Sequence, residues 1–375
     1  MRVDHEAGTA GPAAGFLALP SEVYADDPLW IPEEPHRVAW AFSDDNPWFE
    51  SGEAQTFCVR DKVRLAVFRP NDACVNGVPA AFFGYFETTG DSTANKAAVA
   101  QAEEWAIAHG AQILYGPINF STALGYRLML SREPGGLPFP GEPYNPASYP
   151  AALEELGFSL VERYMSQGGP AEELWLTRDR RRQVAQRVFE RGRYRVEGFT
   201  PDMWQSHLPA LYPIIDEIFR DNFAYMPMPY STFERLFGGD AVRRLCPVSS
   251  VLVFAPDDSI VGLCVMQPHY GPITNQAAGD SRVQVSALNY EAHVPALQRH
   301  HAVGWLLKTI GLSPGHRSRG LLEAMVVAAL DRAEGNFNYF FAMLMRAGST
   351  SRKVAVSHSR ERWYGLYAKQ LGVRH

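Results

Sequence analysis

The sequence predicts a mixed α/β protein built from two copies of one unit. Apolar strand-like runs alternate with amphipathic helical stretches. The order of these patterns (helical start, hairpin, strand, helix, strand, helix, strand) passes once through the first half and again through the second. The 375 residues also leave room for two or three domains of ordinary size. The halves share no obvious residue identity, so duplication is read from the order of elements, with a unit of about 170–180 residues.

Composition narrows the class. Hydrophobic residues make up 46% and charged residues 20%, which suits a folded globular chain and excludes collagen-like, coiled-coil and disordered types. No window reaches the roughly 18 uninterrupted apolar residues a membrane helix requires. The net charge of −6 and pI of 6.0 argue against a protein that coats nucleic acid. Thirty of the 35 basic residues are arginine, read as codon bias and not as chemistry. Cys58, Cys74, Cys246 and Cys264 are scattered. That spacing predicts neither a zinc site nor a disulfide framework and fits a reducing cytoplasm.

Each element has a local reason. Residues 1–15 are rich in Gly and Ala, carry no apolar signal core, and read as a disordered leader. Over 16–50, prolines at 20, 28, 32, 35 and 47 forbid a long helix. An irregular segment pinned by Trp30, Trp48 and Phe49 is expected there. TFCVRDKVRLAVFRP (56–70) reads as strand–turn–strand, and AAFFGYFET (80–88) as a strand buried on both faces. Residues 91–109 read as an amphipathic helix, with Asp91 or Ser92 as N-cap and Gly110 as its stop. AQILYGPIN (111–119) reads as a strand. The Gly/Pro-rich run 134–150 is long enough for a functional loop or lid. A short helix, AALEELGF, and a strand, LVERYMSQ, close the half.

In the second half, 208–227 is helical and ends in a Pro-broken loop. A hairpin over 249–268 turns at Pro256–Ser259. The strand 304–314, the helix 321–335, the strand 336–345, a short helix near 349–357 and the strand 360–369 follow. The predicted organisation is a leader (1–15), a first unit (16–177), a linker helix (178–195) and a second unit (196–375). The linker carries eight arginines against Asp179 and Glu190. It reads either as a solvated helix or as a phosphate-facing patch.

The segment TIGLSPGHRSRGLL (309–322) bears the most chemistry. An apolar strand feeds a short loop containing Gly315 and Gly320, and a helix begins at once. The first helical N–H groups have no intrahelical partner, and the helix dipole is positive there. Such a turn cradles a pyrophosphate. Arg317 and Arg319 add charge-assisted donors, and Gly320 permits close backbone approach.

Here the sequence resembles the GCN5-related N-acetyltransferase superfamily. Its CoA signature is Arg/Gln-x-x-Gly-x-Gly/Ala on a strand–loop–helix; this chain has Arg317, Gly320 and, in the last position, Leu322. Segments 19–32, 46–49 (NPWF), 82–87 (FFGYFE), GPIN with Ser121, 142–158, DNFAYMP (221–227) and the Arg317–Gly320 loop together resemble a bacterial family of tandem-domain, GCN5-like acyltransferases. Some relatives form amides on lipids and others act in natural-product pathways. The resemblance implies two tandem domains, the first degenerate because TTGDSTANK lacks the signature, and the second holding acetyl-CoA or another acyl-CoA. Cofactor contacts are implied at Ile310, Gly311, Leu312, Gly315, Arg317, Ser318, Arg319, Gly320 and Leu321. GPIN and EPYNP carry two open readings: the wall or lid of an acceptor pocket between domains, or turn chemistry and aromatic packing.

The implied reaction is attack of a primary amine on a thioester. A free alkylamine has a pKa near 10, so a base or a water relay must take its proton. A backbone N–H near Ile310–Leu312 is implied as oxyanion donor. His269, just past a strand, is the first candidate base. His300 and His301 are weighed behind it, and Glu323 lies too far along its helix. Asp221 and Asn222 are placed to position the amine. Tyr364 and Tyr367, read as sharing a strand face, are candidate acids, because the family's usual tyrosine after the fifth strand is missing from RAGSTSRKVAVSHS. The acceptor is a small-molecule, lipid or natural-product amine, and the setting is cytoplasmic. Two alternatives stand: an aminoacyl-tRNA-dependent transferase, the one case with a nucleic-acid partner, and a non-catalytic CoA-binding protein. Neither a metal nor an oligomeric state is implied.

Overall fold

The computed structural model describes residues 4–7, 11–299, 304–317, 320–348 and 360–372. Its strands are β1 (Asp4–Ala7), β2 (Gly52–Val59), β3 (Val63–Pro70), β4 (Cys74–Val75), β5 (Val78–Thr88), β6 (Ile113–Gly116), β7 (Leu128–Ser131), β8 (Ser159–Pro170), β9 (Arg195–Gly198), β10 (Val251–Phe254), β11 (Ile260–Pro268), β12 (Gly304–Leu312), β13 (Tyr339–Arg346) and β14 (Arg360–Gln370). The α-helices are α1 (Ala14–Val23), α2 (Pro35–Ala41), α3 (Ser92–Ala108), α4 (Tyr149–Glu155), α5 (Ala171–Gly192), α6 (Pro201–Phe219), α7 (Tyr230–Phe237), α8 (Gly271–Thr274), α9 (Tyr290–Arg299) and α10 (Leu321–Ala333).

The repeated unit is visible in the pairing. β5 and β6 are parallel and joined across α3; β12 and β13 are parallel and joined across α10. Both strand pairs sit in one mixed sheet, ordered β1-β2-β3-β5-β6-β14-β8-β13-β12-β11-β10-β9. The last strand of each half has crossed over. β14, at the end of the chain, pairs with β6 of the first half, and β8 of the first half pairs with β13 of the second. β8 and β14 pair with each other along the join. The inner part of β8, Tyr164–Gly169, is buried while its outer part alternates, as expected for a strand covered only where both neighbours flank it.

Local chemistry accounts for most boundaries. The Asp91 side chain caps α3 by accepting the Ala94 N–H at 2.9 Å, and Lys62 Nζ lies 2.5 Å from the same carboxylate. Asp91→Ala is expected to cost about 1 kcal/mol, measurable as a lower urea midpoint. α6 begins at Pro201, earlier than expected, because the Thr200 hydroxyl accepts the Met203 N–H at 3.2 Å. β6 is shorter than expected and stops before Pro117, which has no N–H to donate.

Several expectations need correction. Part of the leader is structured: β1 pairs antiparallel with β2. The 16–50 segment holds two short helices and one helical turn at 47–50 and no long helix: Pro35 and Pro47 fall at starts, where a missing N–H costs nothing, while Pro20 lies inside α1. Trp30 and Trp48 are buried as expected. The short helix expected near 349–357 lies outside the described residues. The eight arginines of 178–195 divide: Arg180, Arg187, Arg191 and Arg193 are exposed to solvent, and the other four are engaged. α5 packs on α10, where Arg178, 2% exposed by side chain, meets Asp179, Asp331 and Glu334. Arg182 pairs with Asp331, Arg181 with Glu323, and Arg195 with Glu197 and Asp258. A basic face is thus matched to acidic groups that lie far away in sequence.

Candidate functional site

The site begins where two parallel strands part. β12 and β13 pair only over 304–307 and 339–342. Lys308 then forms a bulge, since Val265 faces Thr309 and Met266 faces Leu307 with no partner for Lys308. Beyond it β13 turns to other bonds: the Leu344 N–H donates to the Ser166 hydroxyl at 3.0 Å, and Arg127 Nη2 donates to the Leu344 carbonyl at 3.3 Å. The seam opens into a cavity of about 410 Å³. Its walls come from Lys308–Ile310, Ala342–Arg346, α6 with the following loop, and the first-half loop 122–127.

The corresponding seam in the first half is closed. After β6 the chain keeps bonding to β5: the Ile118 N–H donates to Phe83 O at 2.6 Å, and the Tyr85 N–H to Asn119 Oδ1 at 2.9 Å. Gly84 makes this possible. A Cβ there would lie 2.3 Å from Asn119 Oδ1 and 2.7 Å from Ile118 O. The neighbouring helix N-terminus, α3, is already occupied by the Asp91 carboxylate. GPIN therefore packs and bonds against β5, while Thr122–Leu124 beyond it reach the cavity. No residue of EPYNP (142–146) lines the cavity, although Gly141 just before it does; within the motif Asn145 exchanges bonds with both Met129 backbone groups.

The turn at the end of β12 presents α10 without a side-chain cap. Gly320 occupies the N-cap position at φ +71°, a left-handed conformation that favours glycine. A Cβ there would meet only Val188, at 3.6 Å, and Gly315 faces open space. Ile310 lines the cavity, whereas Gly311 packs under Ile218 of α6. Arg317 departs from expectation. Its Nε donates to Leu312 O at 3.0 Å and its Nη2 to Ile218 O at 2.9 Å, with Asp221 at 3.6 Å. That guanidinium ties α6 to β12, which also occupies the Leu312 carbonyl. The Leu321 side chain is fully buried, so only its backbone faces the turn. Ser318 and Arg319 lie outside the described residues, as do His300 and His301.

The expected catalytic side chains are not gathered at one point. Asn222 lines the cavity. His269 does not; its ring packs edge-on to Phe139 at 4.6 Å, and its Nδ1 accepts the Gly271 N–H at 3.2 Å. Burial, with Arg362 nearby, holds its pKa down to about 3, so it is neutral and a weak base at physiological pH. Tyr364 and Tyr367 point into different cores, because an odd spacing on a strand puts side chains on opposite faces. Tyr364 donates to Glu142, and Tyr367 packs in the α3-side core. Neither tyrosine lines the cavity.

What the cavity does contain is cationic. Arg127 is 7% exposed and lies between the rings of Tyr126 (3.4 Å) and Tyr164 (4.0 Å). Lys308 and Arg244 share the cavity wall. Burial pulls the Lys308 ammonium down to about 8; Arg244 and Arg127 add repulsion and Glu142 offsets part of it. Sequence patterning missed these three. The available signal was Lys308 itself, one of only five lysines, inside the apolar strand WLLKTIGL.

The Lys308 shift has a stability consequence. The unfolded lysine, with a pKa near 10.4, binds more protons than the folded one between about pH 8 and that value. Stability therefore rises with pH across this window. Urea unfolding at stepped pH should show that rise in the native chain and its loss in Lys308→Met; equal slopes would place the lysine in water.

Among the described residues no helix is long and apolar enough to cross a membrane, and no group of three His, Cys, Asp or Glu is placed to hold a metal. No known family profile matches the sequence, and no curated protein matches it. Solved structures do. A tandem GNAT protein from the clavulanic acid biosynthesis pathway aligns over 100% of both chains, at 11% identity and a TM-score of 0.50. A GCN5-related N-acetyltransferase from Anabaena variabilis aligns over 99% of this chain and 74% of its own, at 8% identity and a TM-score of 0.53. A probable N-acyltransferase from Enterococcus faecalis aligns over 99% and 73%, at 9% identity and a TM-score of 0.52.

Proposed function

We propose, from the tandem GCN5-related N-acetyltransferase fold of this chain, that it moves an acyl group from acyl-CoA to a primary amine. The observation that carries this reading is the open seam between β12 and β13, continuous with the 410 Å³ cavity. The strand edge from Lys308 onward, released from β13, offers backbone groups to a pantetheine arm. The uncapped start of α10 at Gly320 suits a pyrophosphate. The first half has its seam bonded shut and its helix already capped, which supports a single cofactor site in the second half.

The chemistry follows from those positions. A backbone N–H on the free edge of β12 stabilises the oxyanion as the amine attacks the thioester. The amine proton leaves through water or a cavity side chain, and the thiolate, with an ordinary pKa near 8.5, departs without strong acid help. Asn222, which lines the cavity, orients the acceptor in this reading. For the aminoacyl-tRNA alternative the basic stretch gives reduced support, because Arg178, Arg181, Arg182 and Arg195 are engaged with carboxylates and only Arg180, Arg187, Arg191 and Arg193 stay exposed. Thermal denaturation with acetyl-CoA and longer acyl-CoAs tests the proposal. At a hundredfold excess over Kd, binding adds roughly 2.7 kcal/mol, a clear rise in Tm; no rise with any CoA species would sink it.

A further inference from the structure

Among the described residues four basic side chains reach the cavity wall: Arg127, Arg244, Lys308 and Arg346. Arg346 is neutralised by Glu162, its Nε lying 3.0 Å from the carboxylate. The other three have no carboxylate within ion-pair distance among the described residues. Asp216, the acidic residue of the wall, is spent on Arg220 and on the Tyr225 hydroxyl at 2.8 Å. Glu142 acts on Lys308 from beyond the wall and is itself bonded to Arg362 at 2.6 Å.

Arg127 is the sharpest case. It is buried, its Nε has no hydrogen-bond partner, and Nη2 makes one long bond to Leu344 O. Two tyrosine rings hold its guanidinium plane in place, so it is pre-positioned as a donor fork. Holding cations away from bulk water without anions is costly, so a cavity with Arg127 buried and Arg244 and Lys308 half-buried on its wall gains from a ligand that supplies the missing charge.

We propose that this cavity binds a carboxylate of the substrate through Arg127, Arg244 and Lys308. The identity of the pocket as the reacting site rests on the acyl-transfer reading above; the anion preference rests on the three cations alone. The carboxylate has two possible sources. It can end the acyl chain, as in a dicarboxylic acyl-CoA, or belong to the acceptor, as in an amino acid. The apolar remainder of the wall, including Phe219, Leu263 and Val265, suits a carbon skeleton of moderate size.

Calorimetric titration of the full chain with two matched pairs tests this. Succinyl-CoA against butyryl-CoA probes the acyl source; phenylalanine against phenethylamine probes the acceptor. In at least one pair the carboxylate member should bind roughly tenfold tighter or more, about one charge-assisted bond. That advantage should fall within about threefold in Arg127→Met and Lys308→Met, and be retained in Arg127→Lys if charge is what matters. The pair that shows it identifies the source. Equal binding within both pairs, or a preference unchanged in both Met variants, overturns the proposal. If phenylalanine is preferred while neither CoA binds, the anion site stands and the acyl-transfer reading falls. If butyryl-CoA and succinyl-CoA bind equally and neither amine is discriminated, the reverse holds. Absence of binding by all four ligands overturns both.

Discussion

Replacing Arg362 with Met is expected to lower the unfolding free energy by about 3–5 kcal/mol. Arg362 sits on β14 with its side chain 3% exposed. It donates to Glu133 through Nε and Nη2 (2.9 and 2.7 Å), to Glu142 at 2.6 Å and to Leu137 O at 2.9 Å. Its guanidinium also lies over Phe139 at 4.1 Å. One side chain from the end of the chain therefore holds the 133–142 loop of the first half. Removing it strands two buried carboxylates. Even with Arg362 present, burial dominates at Glu142 and lifts its carboxyl to about 7.

The check is a double-mutant cycle in urea. Glu133→Gln added to Arg362→Met should recover part of the loss, because an amide is far cheaper to bury unpaired than a carboxylate. A single variant within about 1 kcal/mol of the native chain would mean that the loop does not depend on this contact. Since Gly141 lines the cavity, the same variant should also weaken ligand binding.

The second large effect is expected at Gly320. Gly320→Glu should weaken CoA binding by at least roughly tenfold, from the repulsion of a carboxylate a few ångströms from a phosphate. The backbone there is left-handed, at φ +71°, so strain alone could unsettle any substitution. Gly320→Asn separates the causes, since asparagine tolerates that conformation and brings no charge. Asn should bind CoA within about threefold of the native chain while Glu does not. If both variants bind alike, the pyrophosphate lies away from this turn. Titration calorimetry measures this directly, and circular dichroism confirms that α10 is retained.

Short-range patterns were readable. The run AAFFGYFE makes β5 because it is apolar and aromatic on both faces. Asp91 and Gly110 bound α3 because one offers a cap and the other takes φ +79°. The strand–loop–helix at 309–322 was legible for the same local reason, the change of period at a glycine. Where the readings failed, the deciding contact was distant. Arg317 reads as a phosphate donor beside a glycine, yet Ile218 O, 99 residues earlier, takes its guanidinium. His269 reads as a base at a strand end, yet Phe139 and Arg362 surround it and keep it neutral. Tyr364 and Tyr367 looked like neighbours until strand parity sent them to opposite faces.

By itself the sequence determined a mixed α/β chain with a repeated order of elements, and one helix start fit for an anion. Those properties depend on periodicity, caps and turns, which act over a few residues. Only the tertiary structure decided that the two halves exchange their last strands, that the first seam is bonded shut while the second stays open, and that Arg127, Arg244 and Lys308 meet in one cavity. Strand partners and cavity walls are chosen by burial and charge between segments more than 100 residues apart, and no local pattern encodes which distant group will arrive.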